Sequence, residues 1–385
     1  MHNNSHLELN AQSFRTNINF LRQHLKKNLV ISSVIKGNAY GHSIEKFVEI
    51  ALAHDVNHFS VFDSHEAIRV KSIANEKATV LIMGWLNNEQ DLQWIIENEV
   101  EFFVFEKQRL IAAAKMAKKL KKKAIVHIEV ETGMNRTGFN RSELKWVQDF
   151  LHKNSEFINF KGLCTHFAGA ESIANFFRIK QQIITFNEIY EKFCELNLKP
   201  LQKHAACSAA AMMYPETQMD MVRIGIMQYG FWPSAEVLVN YYNNKKKNID
   251  PLKRIISWKS EVMSVKKVKR GEFVGYGTSF MADENMKIAT VPVGYAHGYS
   301  RNLSNVGRVL INGERCVVIG TINMNMMVVE VTFLENIKSG DEVVLIGNQQ
   351  DKELTVASFS DYSNMLNYEL LTRISPDIPR VIVNN

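Results

Sequence analysis

The chain has 385 residues, 46% hydrophobic and 22% charged, a composition typical of a globular protein. Its net charge of +6, from 46 basic and 40 acidic residues, does not by itself indicate nucleic-acid binding. No apolar run approaches the ~20 residues that span a membrane, and the polar start has no signal-peptide pattern. The four cysteines are scattered without a C-x-x-C pair, which favours a reduced protein without disulfides or a zinc site. We therefore expect a cytoplasmic protein with no metal, membrane or nucleic-acid partner.

Short apolar strands alternate with longer amphipathic segments from residue 29 to about 230. Between the strands, segments such as "KQRLIAAAKMAKKLKKK" repeat apolar residues at helical spacing. Eight strand–helix units in series predict an α/β fold of the (β/α)8 TIM-barrel type. The predicted strands cover residues 29–35, 58–62, 79–83, 100–105, 124–130, 160–166, 203–207 and 221–226.

The hydrophobic period changes after residue 255. Runs such as "KIATVPVGY" and "RVLINGERCVVIGTI" read as strands joined by turns, so we predict a C-terminal β-rich domain. We place the barrel in residues 1–245 and the β-rich domain in residues 246–385, and expect a strand at about 6–10 to pair with the latter. The lysine-rich linker at 243–251 is interpreted as solvated, because no aromatic residues interrupt its charges.

Polar side chains recur where the predicted barrel strands end. Lys36 follows the first strand, Arg136 the fifth, His166 the sixth and Ser208 the seventh, and Arg223 lies in the eighth. The C-terminal ends of barrel strands carry the active site in this fold. A lysine usually ends a strand only as a solvated residue, but these neighbours favour a catalytic role.

The order of these motifs resembles that of the alanine racemases, pyridoxal-phosphate enzymes built from a barrel and a C-terminal β domain. The resemblance covers nearly the whole chain. The matching segments, in order, are "VIKGNAYGHS", "TGMNRTGF", "THFAG", "HAACSAAA", "VRIGIMQYG", "VGYGTSF", "VPVGYAHGYSR", "GTINMNMM" and "NYELLTRISPDIPRV".

The resemblance implies two catalytic bases. Lys36 is similar to the lysine that binds the cofactor covalently and serves the D-side proton of the substrate. Burial lowers the pKa of a lysine and so favours the reactive amine. Tyr276 is similar to the tyrosine that serves the L-side proton and comes from the partner subunit. The resemblance therefore implies a homodimer with shared sites, acting on an amino acid and supplying D-alanine for peptidoglycan.

The same resemblance implies the binding residues. Arg223 would face the pyridine nitrogen and keep it largely unprotonated, because an arginine does not give up its proton. His166 would stack near the ring and bond to Arg223. Besides Lys36, the residues implied for pyridoxal 5'-phosphate are Tyr40, His166, Ser208, Arg223, Gly225, Ile226 and Tyr368. Those implied for the substrate are Arg136, Met324 and Tyr295.

Four positions differ from the family pattern. Glu129 stands where the family commonly has a lysine, often carbamylated, that supports the substrate arginine, and a carboxylate there could bond Arg136 directly. Cys207 replaces an asparagine, and Asn325 and His297 each replace an aspartate. These changes leave the cofactor residues intact but put alanine as the preferred substrate in question.

Three alternatives remain open. A racemase for serine or a broader set of amino acids is compatible with the four departures. A barrel-type decarboxylase is expected to set an acidic residue at the pyridine nitrogen, and Arg223 argues against it. A non-catalytic pyridoxal-phosphate carrier needs no second base, and Tyr276 argues against it.

Overall fold

The computed structural model describes residues 4–86, 88–245, 249–356 and 367–384. The chain divides into two compact units. The first unit comprises Phe14–Lys36 and Phe47–Lys253, and the second comprises Met1–Ser13, Gly37–Lys46 and Arg254–Asn385. Residues 246–248, which are part of the predicted linker, lie outside the described residues. They adjoin the predicted domain boundary between residues 245 and 246. The boundary therefore stays a prediction.

The first unit is a parallel barrel of eight strands. The strands neighbour one another in the order β8-β7-β6-β5-β4-β3-β2-β9. A bridge joins Arg223 of β9 to Cys207, three residues after β8. The barrel prediction is confirmed, because each predicted run overlaps one strand. Strand β1 is Ser5–Asn10, and the barrel strands are β2 (Val30–Val34), β3 (His58–Val61), β4 (Thr79–Ile82), β5 (Glu101–Val104), β6 (Ala124–Glu129), β7 (Ile158–Cys164), β8 (Gln202–His204) and β9 (Met221–Ile224).

Helices follow the barrel strands, and side chains fix where several begin. Asp63 accepts from the backbone N–H of Glu66 at 2.9 Å, and Glu106 caps the helix that starts at Lys107. Apolar faces of these helices pack toward the strands. The helices are α1 (Ala11–His24), α2 (Ile44–Leu52), α3 (Ser64–Ala74), α4 (Glu89–Glu97), α5 (Lys107–Leu120), α6 (Leu144–Lys153), α7 (Phe176–Glu195), α8 (Ser208–Met213), α9 (Ala235–Lys245) and, in the second unit, α10 (Asn367–Arg373).

The second unit is built on a largely antiparallel sheet. Strand β1 pairs antiparallel with β10 and parallel with β18. Asn312 and Gly313 both have positive φ, which gives the hairpin between β13 and β14 the turn that "NG" predicts. The remaining strands are β10 (Ile256–Glu261), β11 (Ser264–Val268), β12 (Met286–Val291), β13 (Arg308–Ile311), β14 (Glu314–Ile319), β15 (Met327–Glu330), β16 (Glu342–Gln349), β17 (Lys352–Leu354) and β18 (Arg380–Val383).

Candidate active site

Lys36 lies two residues after the last residue of β2, at the C-terminal edge of the barrel. The residue is exposed to solvent there, yet partial desolvation by the surrounding protein lowers the pKa of its amine. The positive charges of Arg136 and Arg223 lower the pKa of Lys36 further, and Glu66 opposes them. The site thus favours the neutral amine, which is the nucleophilic form of lysine.

Arg223 occupies the interior of β9 and is 4% exposed. Its guanidinium donates to the carbonyl oxygens of Thr165 and Ala205, at 2.8 and 3.2 Å. A third contact joins Arg223 Nη1 to Nδ1 of His204. We expected Arg223 to bond His166, and this was wrong: the histidine bonded to Arg223 is on β8, not at the end of β7.

His166 is half-buried just after β7. Burial lowers its pKa to about 3, and the charges of Arg223, Arg136 and Lys36 act in the same direction. The imidazole is therefore neutral at physiological pH. Its backbone carbonyl accepts from Gln182 Nε2 at 3.0 Å, which ties the loop after β7 to helix α7.

Ser208 and Gly225 are joined directly. The Gly225 N–H donates to Ser208 Oγ at 3.0 Å, so this N–H is already paired within the chain. The bond leaves the serine hydroxyl proton for another acceptor. Ile226 begins a short turn after β9 and is buried. Cys207 precedes Ser208, and burial raises the pKa of its thiol.

Glu129 is a buried carboxylate at the end of β6, 5% exposed. Burial raises its pKa, while a hydrogen bond with Thr137 and the charges of Arg223 and Arg136 partly oppose this. Arg136 itself is exposed in the loop that follows. The carboxyl group of Glu129 therefore lies where, once ionised, it attracts both arginines.

In the second unit, residues 37–40 form a left-handed turn. Gly37, Asn38, Ala39 and Tyr40 have φ of 63°, 54°, 54° and 52°. Such backbone costs about 1–2 kcal/mol for each non-glycine residue, and runs of this kind are found at functional sites. His42 Nδ1 donates to the carbonyl oxygens of Ala39 and Tyr40, at 3.0 and 2.9 Å, which stabilises the turn.

The Tyr40 ring lies beside another tyrosine implied by the resemblance. Its centroid is 6.0 Å from that of Tyr368, and the two rings are tilted by 50°. Tyr368 belongs to helix α10, so the left-handed turn and this helix present two phenols together.

Tyr276 is 73% exposed in a loop of the second unit. A bridge between Phe273 and Met281 closes the loop. The glycines on either side of Tyr276 both have positive φ, 76° at Gly275 and 71° at Gly277. Their freedom lets the loop hold Tyr276 outward.

Tyr295 and Met324 lie in neighbouring segments of the second unit. The Tyr295 N–H donates to the carbonyl oxygen of Asn323 at 3.1 Å, and the Ala296 N–H donates to that of Met324 at 3.0 Å. Two of the departures from the family pattern, His297 and Asn325, line one cavity of about 410 Å³.

The sequence reasoning missed a buried polar group in the barrel interior. It consists of Glu101, His127 and His204, each in a strand that was predicted only from its apolar residues. The available signal was the polar residue inside each apolar run, as in "EFFV" and "AIVHIEV".

Models of two protein families match the chain. The alanine racemase N-terminal domain matches residues 9–233, and the alanine racemase C-terminal domain matches residues 255–382. The chain belongs to the alanine racemase family. An alanine racemase of Leptospira interrogans is 32% identical over 385 residues, covering 99% of this chain and 96% of the relative. One of Carboxydothermus hydrogenoformans is 34% identical over 376 residues and 98% of each chain.

Solved structures agree with this assignment. An alanine racemase of Clostridium difficile 630 superposes with a TM-score of 0.91 at 29% identity, covering 100% of this chain and 97% of that one. An alanine racemase of Bacillus anthracis with bound L-Ala-P gives a TM-score of 0.89 at 29% identity, covering 100% of this chain and 96% of that one.

Proposed function

We propose that the protein is a pyridoxal-phosphate-dependent racemase that interconverts L-alanine and D-alanine. The observation that carries the proposal is Lys36 at the barrel edge, where burial and two arginines favour its neutral amine. The full-length match to the family supports the same reaction. Its product would serve as D-alanine for peptidoglycan in the cytoplasm.

The side chains at the barrel edge fit this cofactor chemically. Lys36 offers an amine, Arg223 a donor for the pyridine nitrogen, and Ser208 a hydroxyl proton for the phosphate. Gly225, Ile226, Tyr40, His166 and Tyr368 complete the proposed binding set. Pyridoxal phosphate would withdraw electrons from the Cα of an amino acid joined to it in place of Lys36, and so acidify the C–H bond there and leave the Lys36 amine available as a base.

Side chains of the protein itself would supply the proton transfers and the substrate contacts. Lys36 would exchange the Cα proton on the D side, and Tyr276 would exchange it on the L side. Arg136 would bind the substrate carboxylate through its guanidinium. Met324 would assist through its backbone, and Tyr295 would narrow the access to the site.

We also propose a homodimer in which each site receives Tyr276 from the second copy. The exposure of Tyr276 on its loop supports this, since a base held away from its own unit can reach another chain. Among the described residues, no helix combines the length and hydrophobicity that a membrane crossing requires.

A racemase for serine or a broader set of amino acids is the second candidate. It is compatible with the four departures from the family pattern at Glu129, Cys207, His297 and Asn325, although the cavity lined by His297 and Asn325 contains none of the residues proposed for the substrate. A changed pocket shifts preference between similar substrates without changing the chemistry.

A substrate panel tests the proposal. The protein loaded with pyridoxal phosphate is incubated with single L-amino acids, and the products are separated on a chiral column. We expect D-alanine to form fastest and to approach equal amounts of both enantiomers. Faster turnover of serine would favour the second candidate. Absence of racemisation with the cofactor bound would overturn both.

A further inference from the structure

A chain of buried polar side chains runs through the barrel interior from Arg223. Arg223 Nη1 contacts His204 Nδ1, and His204 Nε2 lies 2.8 Å from His127 Nδ1. His127 Nε2 in turn lies 2.7 Å from Glu101 Oε2. The other carboxylate oxygen of Glu101 contacts the ammonium group of Lys161. Each of the four side chains from Arg223 to Glu101 is at most 4% exposed.

The two ends of this chain determine the direction of each bond. A guanidinium only donates and a carboxylate only accepts. His204 Nδ1 therefore accepts from Arg223, and its Nε2–H donates to His127 Nδ1. The His127 Nε2–H then donates to Glu101. In this pattern Nδ1 of each histidine accepts a hydrogen bond, so both rings are neutral and carry their proton on Nε2. Burial lowers the pKa of both histidines and so acts in the same direction.

The surroundings are shaped around these groups. The Phe103 ring lies 5.9 Å from the His204 ring and 5.7 Å from the Arg223 guanidinium, which shields both from water. A Cβ atom on Gly162 would overlap the His127 imidazole. Within the described ranges, no three His, Cys, Asp or Glu side chains are arranged to hold a metal ion.

Stability alone does not account for such a cluster. Replacing buried ionic groups by apolar residues of similar volume is often neutral or stabilising. What the cluster does provide is a fixed acceptor for Arg223. The position of the proton on each histidine depends on the group to which that histidine is bonded. Glu101 therefore determines, through His127, which nitrogen state His204 presents to Arg223.

We propose that Glu101, His127 and His204 are positioning residues that hold the Arg223 guanidinium in one orientation. The proposal rests on the proposed function, in which Arg223 faces the pyridine nitrogen. Glu101 fixes the tautomers of His127 and His204, and the resulting acceptor on His204 orients the Arg223 guanidinium.

Glu101→Gln should reverse the tautomers. The amide oxygen of the new side chain faces Lys161, because an ammonium only donates, so its NH2 group faces His127. His127 and His204 then carry their protons on Nδ1, and His204 directs a donor at Arg223. We expect about tenfold weaker binding of pyridoxal phosphate, which corresponds to about 1.4 kcal/mol, and a lower kcat with little change in KM.

Two further variants test whether the effect of Glu101→Gln comes from the reversed hydrogen bonds or only from the lost negative charge. Lys161→Met added to Glu101→Gln removes the ammonium, so the amide oxygen can return to His127, and cofactor affinity should recover. His58→Asn is the matched control. His58 Nε2 lies 3.8 Å from Glu101 Oε2, beyond hydrogen-bond distance, and His58 Nδ1 bonds Ser32, so this replacement leaves the bonds from Glu101 to Arg223 in place. This control should leave cofactor affinity and kcat unchanged.

The readout is ¹⁵N NMR of labelled histidines in the full chain with pyridoxal phosphate bound, together with the cofactor dissociation constant. We expect Nε2–H tautomers for His127 and His204 in the native protein and Nδ1–H tautomers in Glu101→Gln. Other tautomers in the native protein would overturn the proposal even if no variant folds. Unchanged affinity in a folded Glu101→Gln would also overturn it. If the native protein racemises no amino acid while the tautomers and affinities change as expected, the positioning chain stands and the proposed function fails.

Discussion

Arg380 donates to the carbonyl oxygen of Gly41 through both Nε and Nη2, at 3.1 and 2.8 Å. The same guanidinium bonds the carbonyl oxygens of Ser375 and Ile378, so it ties the strand β18 region to the end of the left-handed turn. The strained backbone at 37–40 is thereby stabilised within the second unit, which agrees with the rule that strain persists only where surrounding contacts impose it.

Replacement of Gly41 by alanine should destabilise the protein strongly. Gly41 has a φ of 80°, and a Cβ atom there would overlap the carbonyl oxygen of Leu371. We expect a loss of more than about 3 kcal/mol in the free energy of unfolding, from backbone strain and overlap together. Denaturant titration measures it. Gly271→Ala is the control: its φ is 84° but the space is open, so it should lose only about 1 kcal/mol. Equal losses would contradict the overlap.

His42 should make stability depend on pH. Burial lowers its pKa to about 4, so between pH 6.5 and 4 the unfolded chain binds a proton that the folded chain does not. Stability present above pH 6.5 is therefore lost as the pH falls, by roughly 3 kcal/mol for this group. His42→Asn keeps a donor for the turn but cannot titrate. Denaturant titrations at pH 7 and 4 should show a smaller loss for this variant, and an equal loss would contradict the assignment.

Glu129→Gln should weaken substrate binding more than turnover. Glu129 interacts electrostatically with Arg136 and Arg223. In the proposed site its charge would orient Arg136 toward the substrate carboxylate, and the amide removes that charge. We expect KM for the amino acid to rise about tenfold, the effect of losing one charge-assisted interaction. Glu188→Gln removes a surface carboxylate paired with Arg141 and should leave KM unchanged. Steady-state kinetics decide, and an unchanged KM in Glu129→Gln would contradict this role.

If Tyr276 is the proposed L-side base, Tyr276→Phe should slow racemisation strongly while the protein stays folded. The side chain is largely exposed, so loss of its hydroxyl should change the free energy of unfolding by less than about 0.5 kcal/mol. Removal of a catalytic base typically costs about 10²–10⁴ in rate. Tyr242→Phe, a change of the same size on helix α9, should retain activity. A fully active Tyr276→Phe would contradict the assignment of Tyr276 as the L-side base.

The barrel could be predicted because each of its strands is a short apolar run between helical segments. The residues at the strand ends could be placed on one edge because parallel strands end together. The histidine bonded to Arg223 could not be predicted. Which side chains meet inside a barrel depends on the stagger between strands, and this brings His204 of β8 beside Arg223 of β9. A tight turn was expected at 37–40, but its left-handed backbone was not, because only one of its four residues is a glycine.

The most direct test of the proposed reaction is the formation of D-alanine from L-alanine in D₂O, followed by mass spectrometry after chiral separation. Removal of the Cα proton and its return from a base on the other face predict D-alanine that carries deuterium at Cα. The account predicts this product and an approach to equal amounts of both enantiomers. Absence of D-alanine while pyridoxal phosphate is bound at Lys36 would contradict it.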